Sequence, residues 1–198
     1  MCQCGSIVNT LFAPYQPDAH GVPLPDVVIR TASREDLPST AALAAHREGG
    51  ELAEWAAIHG RQFDDEKRCL LVAVHHGKVI GYAWLAWLTP VAHGGRNAPD
   101  GWYLSGVVVH PEYRRRGIGR RLTQARVDWV LEREPFAHYV VSASNRASRT
   151  LHAQLGFVEV AHEDFVVPGV VFTNHDGILC RLGARPDADV IDLASRRP

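Results

Sequence analysis

The sequence predicts a mixed α/β fold in which one central sheet carries helices on both faces. Nearly half of the 198 residues are hydrophobic, which is enough apolar surface for a sizeable core. Apolar runs and helical patterns alternate in the order β-α-α-β-β-β-α-β-α-β-β, which favours helices layered against a sheet. The length suits one domain, predicted at 27–182, between an N-terminal extension at 1–26 and a polar tail at 183–198.

The first half of the chain predicts a strand, two helices and a hairpin. Ser33 followed by Asp36 resembles a helix start. The serine hydroxyl can accept a hydrogen bond from an N–H of the first turn, and the carboxylate can accept one from the N–H of Ser33. Gly49 and Gly50 end that helix, and His76-Gly77 forms a turn between two apolar strands. The predicted elements are a strand at 27–31, helices at 33–47 and 51–60, and strands at 69–74 and 78–88.

The second half predicts the remaining strands around two further helices. A polar loop at 89–100 leads into the central strand, which ends in the apolar run Val107-Val108-Val109. Gly156 is well placed to end the last helix. The predicted elements are strands at 101–109 and 137–142, helices at 117–133 and 147–155, and strands at 157–160 and 177–182.

Composition and charge argue against several classes of function. A net charge of −1 argues against general nucleic-acid binding. No apolar run reaches the length that spans a membrane, and no signal peptide is apparent. The four cysteines make no disulfide framework, and Cys2-x-Cys4 finds no second pair at zinc spacing. The sequence therefore predicts a cytoplasmic protein without a metal and without nucleic-acid or membrane partners.

The most informative stretch is a strand, a tight basic turn and a helix between residues 104 and 121. Backbone N–H groups and the positive end of the helix dipole meet at such a turn, which can therefore bind a phosphate or pyrophosphate. Gly117 and Gly119 let an anion approach the backbone, and a bound anion would offset Arg120 and Arg121 in the first helical turn. A solvated basic surface is the alternative, since the motif is neither a P-loop nor a dinucleotide fingerprint.

Two blocks of the sequence resemble the signature of the GNAT family of N-acetyltransferases. Residues 109–119 follow the pattern V-x-P-x-x-R-R-x-G-x-G, which binds acetyl-CoA in that family. Residues 145–157 resemble the family's later helix, N-x-x-A-x-x-L-Y-x-x-L-G-F. The resemblance extends over roughly 27–182. It implies the acyl-CoA N-acyltransferase fold, a mostly antiparallel sheet in which two central parallel strands, here 101–109 and 137–142, splay apart.

The resemblance also implies acetyl-CoA as the co-substrate, with its pantetheine arm between the splayed strands. The turn would hold the pyrophosphate, and the backbone of Val107 and Val109 would pair with the pantetheine. An N–H beside Val108 or Val109 would face the thioester carbonyl. Asn145 would bond the pantetheine amide, and its alternative role is a helix cap. The implied cofactor-binding residues are Val107, Val108, Val109, Arg114, Arg115, Arg116, Gly117, Ile118, Gly119, Arg120 and Asn145.

Acetyl transfer to an amine needs an acid for the departing thiolate and a base for the amine. The family commonly has Tyr where this chain has His152, so the resemblance implies a protonated His152 as the acid, with a structural histidine as the alternative. Ser105 stands where aminoglycoside acetyltransferases often carry Glu. It is a candidate catalytic residue by position, although a hydroxyl cannot accept a proton at neutral pH. The base stays open between water, Asp100, Glu51 and Glu54.

Aromatic and acidic residues occur in the segments that wall the acceptor cleft in this family. They suit a cationic amine, with core tryptophans and a solvated acidic helix as the alternative. The layout of 101–107 is similar to aminoglycoside N-acetyltransferases, which implies a small cationic acceptor and antibiotic resistance. Acetylation of a protein N-terminus or lysine, a non-catalytic acetyl-CoA sensor, and a homodimer stay open. The implied acceptor-binding residues are Glu51, Trp55, Trp84, Trp102 and Tyr103.

Overall fold

The computed structural model describes residues 16, 18, 21–89, 98–164, 166–167, 170–172 and 176–183. The domain predicted at 27–182 falls mostly within these ranges. Most of the predicted extension and tail, and the centre of the predicted polar loop, lie outside the described residues. Those predictions therefore stay predictions.

A seven-stranded mixed sheet forms the centre of the described chain. Its strands are β1 (Val28–Thr31), β2 (Arg68–His75), β3 (Lys78–Leu88), β4 (Gly101–Val109), β5 (Phe136–Ser142), β6 (Val158–Glu163) and β9 (Gly177–Gly183), and a separate hairpin contains β7 (Val166–Val167) and β8 (Val170–Val171). Across the sheet the order is β1-β2-β3-β4-β5-β9-β6. Neighbouring strands are antiparallel except β4 and β5, which run parallel.

Helices cover both faces of this sheet. Within the described ranges they are α1 (Leu37–Glu48), α2 (Leu52–Phe63), α3 (Ile118–Leu131) and α4 (Arg146–Ala153). Leu43 of α1 shares a buried cluster with Tyr82 of β3. Leu122 of α3 shares another cluster with Leu85 of β3. Because side chains alternate along a strand, α1 and α3 pack on opposite faces of the sheet.

A β-bulge interrupts the pairing of β4 with β3. Trp84 pairs with Ser105 but Ala83 pairs with Val107, so Gly106 is an extra residue in β4. Gly106 has a φ of 33°, in the left-handed region that a glycine adopts without the penalty of a Cβ. The bulge therefore depends on this glycine.

The two parallel strands separate soon after they meet. Their register is confined to Tyr103 of β4 opposite His138 of β5. Residues 105–109 consequently present an edge of β4 that no described strand covers. This gap is the splayed pair that the resemblance implies, and the predicted fold class is confirmed.

Most predicted elements are present with small shifts at their ends. The predicted strands at 78–88 and 101–109 have the bounds of β3 and β4. The first helix begins later than predicted, because Arg34–Asp36 forms a 3₁₀ turn before α1. The hairpin of β7 and β8 was not predicted, since strands of two residues are too short for a periodic pattern.

Candidate functional site

The basic turn between β4 and α3 has the backbone geometry of an anion cradle. Arg115 (φ 62°) and Gly117 (φ 80°) both take the left-handed conformation. Gly117 is the N-cap of α3 and has no side chain to cap it, so first-turn N–H groups keep hydrogen-bonding capacity. A Cβ built at Gly117 or Gly119 would meet no neighbouring atom within 4 Å. The open space and exposed amides fit an anionic group such as a pyrophosphate.

The arginines of the turn do not all contribute to this cradle. Arg114 donates from Nε to the carbonyl oxygen of Val109 at 3.0 Å. Arg121 donates to the carbonyl oxygens of Leu24 and Val27, which ties the N-terminal segment to α3. These carbonyls are neutral, so Arg121 keeps its charge, and its contribution to the cradle stays a prediction.

The uncovered edge of β4 presents backbone groups for an extended ligand. The N–H of His110 donates to Ile80 of β3 at 2.9 Å, so the N–H of the preceding Val109 points to the uncovered edge. Arg47 donates to the carbonyl oxygen of Val107 at 3.0 Å, as Arg114 does to that of Val109. Sequence reasoning missed Arg47, since a basic residue in the last turn of a helix is ordinary.

A buried arginine lies directly behind the bulge of β4. Arg126 of α3 is 1% exposed. Its Nη1 donates to the carbonyl oxygens of Ser105 at 2.9 Å and Trp84 at 3.2 Å, and its Nη2 donates to Thr123 Oγ1 at 3.1 Å. Its Nε has no protein partner. Burial lowers the pKa of Arg126 to about 9, so the side chain keeps its charge at neutral pH.

His152 also lies in the core, near enough to Arg126 for the arginine's charge to act on it. Its ring is 4% exposed and stacks on Tyr139 with 3.8 Å between centroids. Nδ1 lies 2.8 Å from the carbonyl oxygen of Ser148, so it carries the proton and donates, and the Nε2 lone pair is buried without a protein partner. Burial, assisted by the nearby charge of Arg126, lowers the pKa of His152 to about 4. This corrects the expectation of a protonated His152 at neutral pH.

Two further predicted site residues have structural contacts. Asn145 is the N-cap of α4, and its Oδ1 accepts from the N–H of Ser148 at 3.1 Å. Its amide nitrogen can still donate to a ligand. Ser105 is half-buried at the bulge, and it bonds Arg126 through its carbonyl oxygen.

The predicted acceptor aromatics do not form one wall. Trp84 is buried on the face of α1 and α2, edge-on to His59 with 5.7 Å between centroids. Trp102 lies on the opposite face, edge-on to Trp129 of α3 at 4.8 Å. Tyr103 is buried in a third cluster. The alternation of strand side chains places Trp102 on the face opposite Trp84, whereas Tyr103, paired with Ala86, lies on the face of Trp84. Trp84 and Trp102 therefore cannot line the same wall, and a role of these residues in acceptor binding stays a prediction.

The corner between α1 and α2 retains the predicted acidic character. Glu51 is the N-cap of α2, and both Glu51 and Glu54 are exposed. Half-buried Trp55 donates from Nε1 to the carbonyl oxygen of Gly49 at 2.7 Å, which holds this corner. Neither acid forms an ion pair among the described residues. Asp100, another candidate base, is exposed at the start of β4.

The geometry fits acetyl-CoA, which combines a pyrophosphate with an extended acyl-bearing arm. The cradle suits the pyrophosphate, the uncovered edge of β4 suits the arm, and the guanidinium of Arg126 lies behind the bulge of that strand. Within the described ranges, no cluster of three or more His, Cys, Asp or Glu could hold a metal ion. No helix there is long and apolar enough to cross a membrane.

Known proteins share this sequence pattern and fold. The model of the acetyltransferase (GNAT) family matches residues 28–157. An N-alpha-acetyltransferase, RimI, from Mycobacterium tuberculosis is 28% identical over 134 residues, which cover 68% of this chain and 80% of RimI.

Two solved structures illustrate the shared fold. A putative acetyltransferase, yncA, from Salmonella typhimurium, determined with acetyl-CoA, superposes with a TM-score of 0.59 at 22% identity, covering 83% of this chain and 97% of that one. The aminoglycoside antibiotic 6'-N-acetyltransferase AAC(6')-Ih from Acinetobacter baumannii gives 0.53 at 24% identity, covering 67% and 91%. The chain belongs to the GNAT family and is an acetyl-CoA-dependent N-acetyltransferase.

Proposed function

We propose that the acceptor is the primary amine of a small cationic molecule, with aminoglycoside-like antibiotics as the leading class. The single observation that carries this proposal is the pair of exposed, unpaired acids at the α1–α2 corner, Glu51 and Glu54. Two carboxylates on one turn of a helix attract a molecule with several ammonium groups. Such an enzyme would work in the cytoplasm, where acetyl-CoA is available, and would confer antibiotic resistance.

The reaction exchanges a C–S bond for a C–N bond. The amine nitrogen attacks the thioester carbonyl, CoA leaves as a thiolate, and the amine gives a proton to a base. The cradle and the open edge of β4 would hold the donor, and the N–H of Val109 would polarise the carbonyl. Glu51, Glu54, Asp100 or water would take the amine proton. Because His152 is neutral, the thiolate would take its proton from water.

Acetylation of a protein N-terminus is the second candidate. The similarity to RimI supports it, because that relative is an N-alpha-acetyltransferase and 80% of its length is matched. A peptide amine carries fewer charges than an aminoglycoside, so it would depend less on the acidic corner. This difference allows one acceptor panel to separate the two candidates.

The first experiment measures thiol release from acetyl-CoA with a panel of amines. The panel contains aminoglycosides, linear polyamines, lysine and peptides with free N-termini. We expect turnover with the multiply charged small amines and a KM that rises with salt, since partly exposed charges are screened. Preferred turnover of peptides would support the second candidate. Binding of acetyl-CoA without turnover of any amine would support a non-catalytic sensor.

Matched substitutions test the acidic corner itself. Glu51→Gln and Glu54→Gln should each raise the KM of the cationic amine about two- to fivefold, the worth of an exposed ion pair, with kcat little changed. Glu132→Gln is the control, because Glu132 is an exposed acid at the far end of α3. An unchanged KM in both corner variants would contradict the proposal.

A further inference from the structure

Arg126 is unusual because its buried charge has no buried counter-charge among the residues that the structure describes. The guanidinium is bonded to two backbone carbonyls and a hydroxyl, which are dipoles rather than anions. No carboxylate of the described residues forms an ion pair with it. Buried charges are normally paired, because losing hydration is strongly unfavourable. The fold therefore maintains a positive potential at this point.

The position of this charge links the two parts of the cofactor site. Thr123 donates its hydroxyl hydrogen to the carbonyl of Gly119, in the first turn of α3, and accepts from Arg126. Arg126 in turn holds the carbonyls of Ser105 and Trp84 beside the bulge. An arm that starts at the cradle and follows the open edge of β4 back towards Ser105 brings its distal end to this cation. In CoA the distal end carries the sulfur.

The groups around Arg126 do not neutralise it. From α4, His152 faces it closely enough to feel its charge, and the imidazole is neutral with its proton on Nδ1. From α3 and the sheet, the partners are the hydroxyl of Thr123 and the carbonyls at the bulge. None of the described residues that contact the guanidinium is an anion, so an anion that forms at the end of the open edge would meet an uncompensated positive charge.

We infer that Arg126 is an electrostatic positioning residue that holds the bulge of β4 and stabilises the thiolate form of CoA when it leaves. It acts through the electric field of its charge and through its hydrogen bond to the carbonyl oxygen of Ser105, and it does not contact the acceptor. Cleavage of the C–S bond leaves the electron pair on sulfur, and a nearby cation lowers the energy of that charge. The inference rests on acetyl-CoA as the donor and not on the identity of the acceptor.

The test is the titration of the bound CoA thiol, followed by its thiolate absorbance in the ultraviolet. We expect bound CoA to ionise at lower pH than free CoA, since a nearby cation lowers a thiol pKa by about one unit or more. Arg126→Gln retains an N–H donor for the carbonyls but removes the charge. It should raise the pKa of the bound thiol by about one unit, a tenfold loss of thiolate preference. Arg126→Lys should restore most of the shift.

A matched control separates the effect of Arg126 from the effect of removing any one positive charge from the protein. Arg133→Gln makes the same change two residues beyond the end of α3, at a half-exposed arginine that lies over Trp129. It should leave the titration of the bound thiol unchanged. Equal titration curves for the parent, Arg126→Gln and Arg133→Gln would overturn the inference and leave Arg126 a structural residue.

A second measurement needs no substitution and applies if Arg126→Gln does not fold. The affinities of CoA and of desulfo-CoA, which lacks the thiol, are compared as pH rises. If the site prefers the thiolate, the ratio of the affinity of CoA to that of desulfo-CoA rises with pH. The rise begins near the pKa of the bound thiol and ends near the pKa of the free thiol. A ratio that stays constant with pH would overturn the inference. Both measurements omit the amine, so a failed acceptor panel and a failed inference are distinguishable.

Discussion

At the scale of single residues, burial decides the chemistry of the site more than residue type does. His152 stands where the family commonly has Tyr, and the ordinary pKa of histidine suggests that this side chain can donate a proton near neutral pH. Its stacking on Tyr139 and its bond to the carbonyl of Ser148 instead keep the ring neutral. The available group is a hydrogen-bond acceptor at Nε2. Burial is decisive for Arg126 as well, because an arginine is usually exposed whereas this one is a buried cation.

The neutral state of His152 predicts the shape of the pH profile. With a pKa of about 4, His152 does not change its charge between about pH 5 and 8. The profile of kcat should therefore show no descending limb near pH 6.5. His152→Phe preserves the aromatic stack on Tyr139, and its profile should have the parental shape. A descending limb near pH 6.5 that is absent from His152→Phe would show that the imidazolium is an acid after all.

At the scale of elements, the turn between β4 and α3 has the geometry of an anion site because of its backbone. Left-handed conformations at Arg115 and Gly117 and an uncapped helix start direct amides towards the same open space. The side chain of Arg121 is bonded to carbonyls of the N-terminal segment, so the argument here depends on the backbone. The glycines of the turn are therefore the residues to substitute.

Gly119→Val tests the cradle without disturbing the fold. A Cβ at Gly119 meets no neighbour within 4 Å, so the variant should fold with only the small cost of a β-branched residue in a helix. Its side chain would occupy the space of the pyrophosphate, and affinity for acetyl-CoA should fall at least tenfold. Calorimetry gives the affinity and thermal unfolding gives the control. Unchanged affinity in a folded variant would remove the turn from the cofactor site.

Gly117→Ala provides the comparison with a strained position. Gly117 has a φ of 80°, where a Cβ costs about 1–2 kcal/mol. This variant should lose stability as well as affinity, whereas Gly119→Val should lose mainly affinity. Equal stability of the two variants would mean that the backbone at Gly117 relaxes.

At the scale of the whole molecule, the buried histidines connect pH to stability. Burial lowers the pKa of His138 and of His152 to about 4, below the value of about 6.5 in an unfolded chain. Between these values the unfolded chain binds more protons than the folded one. Stability contributed by the neutral rings is therefore complete above pH 6.5 and is lost as the pH falls towards 4.

Urea unfolding at several pH values measures this loss. The free energy of unfolding should fall by on the order of 3 kcal/mol per buried histidine between pH 7 and pH 4. His138→Gln should flatten part of this dependence. His76→Asn is the control, because His76 is exposed and Asn tolerates its φ of 47°. A dependence equally steep in His138→Gln would mean that His138 does not contribute to the loss.

The sequence by itself determined the fold class and the family, and it predicted the position of the anion cradle. These follow from local patterns: apolar periodicity, and glycines at fixed spacing after Pro111. The resemblance to the GNAT family also implied that the strands that splay apart are β4 and β5. Local patterns are sufficient here because each pattern depends only on residues that are close together in the sequence.

The tertiary structure alone decided which side chains are charged, paired or exposed. Arg126 lies on the same helical stripe as Leu122 and Val130, but periodicity does not tell whether an arginine there is buried or extends to solvent. The burial of Arg126 and His152 depends on the bulge at Gly106 and on the packing of α3 and α4 against strands far away in sequence. The assignment of Trp84 and Trp102 to opposite faces likewise follows from strand register, which sequence specifies only through the complete sheet.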